Sequence, residues 1–372
     1  VSIPLRVEEQ ALEIRNEYLR MIYEMGKAKI GGKSLTEHLM LFDNLSLWWL
    51  TPIVEKSPFL YESVYKIFKL RVFEKLYLGE GCDELVYCGS DPNLNEVLSV
   101  WCQRLGHSYR NVSSGLKDDK SDSCDLRVFF DKLPGFLQVF AWLVKRWWLR
   151  FRHSGVGTNT SCDKFSGDAE TIVTFFPNID LDEANHGGFR SRYWEKLHEN
   201  LHRSEKKINW VWFYFFTEEI PFRRAVSLKN TFNQNSENKQ YFFLLEDFLD
   251  FRTFLKGLRL YLKIYFRGSR LARIREAFSF SGSKMNYFPI LKKDWGSSIF
   301  GIMAIERIFQ AVMFDSMARR LSIKTWGLYT WENQPWELAL ISAWRRHREK
   351  IKIIGYEHSS VRPLDMRVFL NQ

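Results

Sequence analysis

TWGLYTWENQPWELALISAWRRH (325–347), continued by REKIKIIGYEHSS (348–360), decides the fold. Thr325–Thr330 is rich in β-branched and aromatic residues and predicts a strand. Pro335 then stands where the first turn of a helix tolerates proline, and apolar residues recur at helical spacing to His347. Lys352–Tyr356 predicts a second strand. Strand, helix, strand is a βαβ unit, the building block of parallel α/β sheets.

The same order recurs upstream. Glu84–Cys88 predicts a short strand, Asn93–Leu105 a helix closed by Gly106, and Ser108–Val112 the next strand. Three further strands are expected over Thr171–Phe176, Asn209–Phe216 and Gln240–Leu245. The helices expected between and after them cover Phe189–Asn200, Pro221–Thr231, Phe248–Phe266 and Ile299–Arg320. Residues 1–80 read as mostly helical: Leu12, Tyr18, Leu19, Ile22 and Met25 share one apolar face, and Tyr61–Leu78 follows Pro58 as another helix. The polar runs 113–126 and 154–168 read as loops.

The fold class is therefore α/β, with Rossmann-like parallel sheets. The expected division is a Rossmann-like domain over 1–280 with a helical N-terminal region, a crossover at 281–298, and the start of a second Rossmann-like domain over 299–372. The chain begins at Val1 and stops at VFLNQ after a strand-like run, the pattern of a piece of a longer reading frame.

Composition narrows the function classes. The 372 residues are 45% hydrophobic and 26% charged, which excludes a collagen-like or wholly disordered chain. Lys and Arg number 54 against 44 Asp and Glu, so an anionic partner is favoured. Nucleic acid is not the expected one, because no zinc-finger spacing and no RNA-binding aromatic strand is present. Five cysteines, at 82, 88, 102, 124 and 162, form no CxxC pair, against both a zinc site and a disulfide framework. With no signal-peptide pattern and no apolar run of about 18 residues, a cytoplasmic protein is expected. No glycine-rich dinucleotide fingerprint and no P-loop follows any strand, so no cofactor is expected.

Two polar clusters follow the strands of the opening stretch. Glu332, Asn333, Gln334, Trp336 and Glu337 follow the first. In open α/β sheets ligands bind outside the carboxyl ends of strands, and a helix N-terminus offers N–H groups there. The competing reading is a helix cap. His358, Ser359, Arg362, Asp365 and Arg367 follow the second strand. A His there suits a general base and an Arg a phosphate clamp; the alternative is a solvated loop. Adjacent strands would place both clusters on one rim. Asp180-Leu181-Asp182 has the form of a divalent-metal motif but equally that of a loop cap, and no metal is expected. Phe136–Arg152 (FLQVFAWLVKRWWLRFR) mixes aromatic rings with cations. It fits a helix lying on an anionic membrane surface, or one packed on the sheet with its cations reaching water.

The stretch LYTWENQPWELALISAWRRH with IIGYEHSSVRPLDMRVF resembles the signature of a bacterial family of surface carbohydrate (O-antigen) biosynthesis proteins. The matching positions are Glu332, Asn333, Gln334, Trp336, Glu337, His358, Ser359, Val361, Arg362, Asp365 and Arg367. NLSLWWLTPIVEKSP (44–58), GGFRSRYWEKL (187–197), INWVWFY (208–214) and KKDWGSSIFG (292–301) resemble further family segments. Pro335 and the pair Pro363-Leu364 depart from the family pattern. The resemblance implies a glycosyltransferase of the two-domain GT-B type, its second domain truncated here. It would take a nucleotide-sugar donor and a lipid-linked glycan acceptor and act peripherally at the inner face of the membrane. It makes Glu332, Glu337 and His358 the candidate catalytic groups. Asn333, Gln334, Trp336, Ser359, Arg362, Asp365 and Arg367 become candidate substrate contacts. The alternatives are a non-catalytic assembly protein of the same pathway and a metal-dependent transferase using Asp180 and Asp182.

Overall fold

The computed structural model describes residues 2–55, 57, 59–112, 133, 135–154, 169–203, 206–236, 239–321, 323–357, 364 and 366. The chain divides into two compact units. One comprises Val1–Val139, Leu260–Arg307 and Ser360–Gln372, the other Phe140–Arg259 and Ile308–Ser359.

The second unit is built on a five-stranded parallel sheet. Its strands are β1 (Ala169–Phe175), β2 (Lys207–Phe213), β3 (Gln240–Leu244), β4 (Ile323–Trp331) and β5 (Lys352–Glu357). Their spatial order is β3-β2-β1-β4-β5. The chain starts in the middle, winds outward through β2 and β3, then returns to the other side of β1. That is the order of a doubly wound, Rossmann-like sheet, whose direction reverses between β1 and β4.

β1, β2 and β3 are buried on both faces, which is why they read as nearly continuous apolar runs, whereas β5 is largely exposed. Ile172, Trp210, Trp212, Phe242 and Leu244 point to one face and pack with Phe189, Phe232 and Ala225. On the other face Phe175 and Phe213 meet Trp336 and Phe314. The helices Glu195–Arg203 and Phe222–Asn235 thus belong to the first face. Ile302–Arg320 and Pro335–His347 supply the second.

Two devices fix β4 against its neighbours. Its pairing with β1 shifts register between Ile323 and Gly327. Such a bulge releases backbone N–H groups from the ladder. The buried carboxylate of Glu170 takes them up, accepting from Thr325 N at 3.0 Å and Trp326 N at 2.8 Å, and it also accepts the Thr325 hydroxyl. Gly327 then leaves room for the indole of Trp344, which would overlap any Cβ placed there. The Trp344 N–H donates to Ile351 O at 2.9 Å, tying the helix Pro335–His347 to the entry of β5.

The first unit carries the helices Ile3–Glu9, Ala11–Lys27, Glu62–Gly79, Pro92–Leu105 and Phe288–Phe300. Glu84–Tyr87 and Ser108–Asn111 pair in parallel across the helix Pro92–Leu105. This is the upstream βαβ unit expected from the sequence, standing as its own two-stranded sheet. Asp91 caps its helix through Asn93 N and Leu94 N, and Gly106 closes it in the left-handed conformation.

The expected division of the chain is corrected. β4 and β5 do not begin a separate domain, because β4 hydrogen-bonds β1 directly. The segment 281–298 is no free crossover either. It enters the helix Phe288–Phe300, whose Leu291, Trp295 and Ile299 are buried. An apolar helix face of that size finds its place inside a core, and its Gly and Ser residues hid this from composition alone. The predicted loops at 113–126 and 154–168 lie outside the described residues, apart from Ser154 at the end of a helix.

Candidate functional site at the sheet's carboxyl edge

Doubly wound sheets bind ligands in the crevice at the carboxyl ends of the strands that flank the reversal, which here are β1 and β4. Trp331, Glu332, Asn333 and Gln334 leave β4 there and are half-buried. Asn178 and Tyr193 follow β1. The Tyr193 hydroxyl bonds Asn178, and its acidity is weakened first by burial and then by the charge of Glu332. Tyr193 therefore lies within electrostatic range of Glu332 at the switch point. At the end of β5 the Tyr356 ring lies 4.8 Å from that of Trp194.

Local chemistry shapes the turn after β4. Asn333 adopts φ 53°, a left-handed conformation that Asn tolerates better than most residues. This turn aims three consecutive N–H groups inward. Glu337 accepts all of them: Glu332 N at 2.9 Å, Asn333 N at 3.1 Å and Gln334 N at 2.9 Å. Its carboxyl is pushed up to about 7, because burial outweighs the three N–H donors and the Glu332 charge adds to the rise. The Gln334 amide donates to Glu332, while its carbonyl oxygen accepts the Trp336 indole N–H at 3.2 Å.

The structure divides the predicted site. Glu332, Asn333 and Gln334 stand on the rim of the crevice. Glu337 does not: it is 1% exposed, with its carboxylate spent on the backbone. It is a positioning residue, and the helix-cap reading holds for it. Trp336 is also corrected. Its ring is buried among Phe175, Phe213, Phe314 and Tyr329, so it presents no face to a ligand. A tryptophan one turn into an amphipathic helix goes to the core when apolar rings already line it. His358, Ser359, Arg362, Asp365 and Arg367 lie outside the described residues.

The other motifs resolve more simply. Asp180 caps the short helix Leu181–Asn185 through Asp182 N at 3.0 Å and Glu183 N at 3.3 Å. Among the described residues no group of three or more His, Cys, Asp or Glu side chains is placed to hold a metal. The helix Gly135–Ser154 forms as expected, with Phe140 and Val144 exposed. No single helix among the described residues is long and apolar enough to cross a membrane.

Sequence reasoning passed over Tyr193 and Asn178, and also Phe215 and Phe216. The last two extend the apolar run of β2 past its end and were read as strand. The warning was length: NWVWFYFF exceeds the mean strand of about 5–6 residues. A cleft of about 560 Å³ also lies beside the start of β3, among Phe189, Arg190, His198, Phe232, Lys239 and Gln240. Several of its polar groups are already matched, Gln240 by Trp210 and Asn235 by Gly187 O. None of the predicted site residues lies in it.

Comparison with protein families, with curated proteins and with solved structures returns no match for this chain.

Proposed function

We propose that the protein is a glycosyltransferase of bacterial surface polysaccharide biosynthesis. It moves a sugar from a nucleotide-sugar donor to a lipid-linked glycan acceptor. The observation that carries this reading is the half-buried Glu332–Asn333–Gln334 segment at the switch point of a doubly wound sheet, within electrostatic range of Tyr193. Planar amides and a carboxylate at such a crevice suit sugar hydroxyls, which both donate and accept. The family resemblance of the sequence supports the same reading. In a GT-B enzyme this sheet would be one of two Rossmann-like halves.

Glu332 is the candidate base for the acceptor hydroxyl, with Gln334 holding its carboxylate in place. His358, Arg362 and their neighbours keep their proposed roles in base and phosphate contact. The exposed Phe140 and Val144 beside Lys145 support docking at an anionic membrane surface.

The test is a thermal-shift panel of sugar nucleotides. Binding raises the midpoint as ligand concentration exceeds Kd. A shift with one nucleotide class, lost in Tyr193→Phe and reduced in Glu332→Gln, supports the reading. A folded protein that responds to no member of the panel overturns it and leaves the assembly-protein alternative.

A further inference from the structure

Large apolar side chains left in water usually mark a contact surface. In the second unit several exposed aromatic rings follow the carboxyl ends of the sheet's strands. Phe215 and Phe216 follow β2, Phe251 follows β3, and Tyr356 ends β5. Phe216, at 71%, is the most exposed large apolar residue among those described.

The loop that carries Phe215 and Phe216 is not a loose end. The Tyr214 hydroxyl donates to Ile220 O at 3.0 Å, and Ile220 N donates to the Thr217 hydroxyl at 3.1 Å. Arg224 donates to Glu219 O at 2.7 Å and to the Asn185 side chain at 2.9 Å. The Tyr214 ring packs on Phe222 while Ile220 is buried. The turn is thus pinned at both ends, and it holds two rings outward. Phe215 leans edge-on against Phe175, which in turn meets Trp336, the ring whose N–H is held by Gln334. β2 and β4 flank β1, so at about 4.8 Å per strand the platform stands about 10 Å from the Glu332 turn.

The charge of the loop selects the occupant. Glu218 and Glu219 follow the rings and are exposed. The exposed Arg223 and the loop-bound Arg224 balance these two carboxylates, so the loop is no concentrated cationic site for anionic lipid or phosphate. The carboxylates do accept hydroxyl donors. A neutral sugar ring has both parts: a C–H face that packs on an aromatic ring and hydroxyls around its rim.

We propose that Phe215 and Phe216 form a stacking platform for a neutral sugar ring of the acceptor glycan, with Glu218 and Glu219 accepting its hydroxyls. This rests on the glycan-transfer reading above and extends it to an acceptor subsite.

The experiment is saturation-transfer NMR on the full chain with maltotetraose, chitotetraose and mannotetraose as probes. Phe216→Ala, Phe215→Ala and Phe216→Trp are compared with the unaltered protein, and each protein is also run in the sugar-nucleotide panel. Because Phe216 is so exposed, its replacement leaves the fold intact. At least one oligosaccharide is expected to bind, about tenfold more weakly in Phe216→Ala (about 1.4 kcal/mol) and with affinity restored in Phe216→Trp. The sugar-nucleotide shift should not move. Undiminished binding in both alanine variants overturns the platform, as does no binding of any oligosaccharide. A loss confined to phosphatidylglycerol vesicle binding also overturns it, in favour of a membrane contact. If the sugar-nucleotide shift persists while oligosaccharides fail, the platform falls alone. If both fail, the transferase reading falls with it.

Discussion

Glu170 in β1 accepts the backbone N–H of Trp326 in β4 at 2.8 Å, across the point where the pairing of the two strands slips. The side chain is 3% exposed and also serves Thr325, so one carboxylate closes the bulge that a regular ladder would leave open. The joint fixes β4 beside β1 at the amino end of the pair, opposite the end that carries the Glu332 turn.

Replacing Glu170 by Ala should therefore destabilise the protein. It leaves two N–H groups at a part-buried joint without their acceptor. Denaturant unfolding should show a loss of about 1–3 kcal/mol. Glu170→Gln keeps one carbonyl acceptor and should lose less. Equal losses in the two variants would argue against the bulge-closing role.

Gly327 tests the packing of helix on strand. A methyl group there overlaps the Trp344 ring, a rigid side chain in a buried position. Gly327→Ala should destabilise by about 1–3 kcal/mol, as overpacked cores do. Adding Trp344→Phe should recover part of that loss, read as a non-additive double-mutant cycle.

Glu337 gives a pH prediction. Its folded-state carboxyl sits at about 7, above the ordinary carboxylate range, through burial. A raised acid binds its proton more tightly when folded. Its penalty is absent below the unfolded value near pH 4.5 and grows as pH rises to about 7. Stability should fall over that window by about 3 kcal/mol at most, taking about 1.4 kcal/mol per pH unit. Glu337→Gln should flatten the slope, measured by chemical denaturation from pH 4 to 8. It should also lower stability at pH 5, because an amide offers one acceptor oxygen to three N–H groups.

Asp315 has the opposite sign. Burial alone would raise its carboxyl. Bonds from Lys256 at 2.6 Å and His347 at 2.8 Å outweigh that, together with the charges of Lys256 and Arg346, and hold it below its ordinary value. Arg346 adds a bond at 2.9 Å. The stabilisation is complete above the unfolded value near pH 4 and is lost as pH falls through the lower folded one. Asp315→Asn should remove that acid-limb slope. It should also destabilise the protein at pH 7 by about 1–3 kcal/mol, because partly exposed cations lose their charged acceptor.

The elements themselves were largely legible. Thr171–Phe176, Gln240–Leu245 and Lys352–Tyr356 each fall within a residue or two of an observed strand; the first two are buried on both faces and carry unbroken apolar runs, while the exposed third was marked by its β-branched pair Ile353-Ile354. The helix Pro335–His347 was marked by its proline and its period. Boundaries near aromatic runs were not. The predicted helix Phe189–Asn200 begins at Glu195 instead, since Phe189 is drawn into the core beside Trp210 and Phe242. The candidate site was half legible. Polarity after β4 pointed to Glu332, Asn333 and Gln334. Nothing in their spacing told the rim residues from Glu337 and Trp336, which fold inward.

Local sequence determined which segments become strands and helices, because period, proline position and β-branched content act within a few residues. It also determined that polar groups follow β4, whatever that strand pairs with. Only the tertiary structure decided that β4 returns to lie beside β1, so that segments more than 140 residues apart share one sheet. Pairing of that kind is set by which apolar faces bury each other and by the single carboxylate that closes the bulge. Neither is a property of any window of sequence. The same long-range packing turned Trp336 and Glu337 inward, brought Tyr193 within electrostatic range of Glu332, and left Phe215 and Phe216 in water.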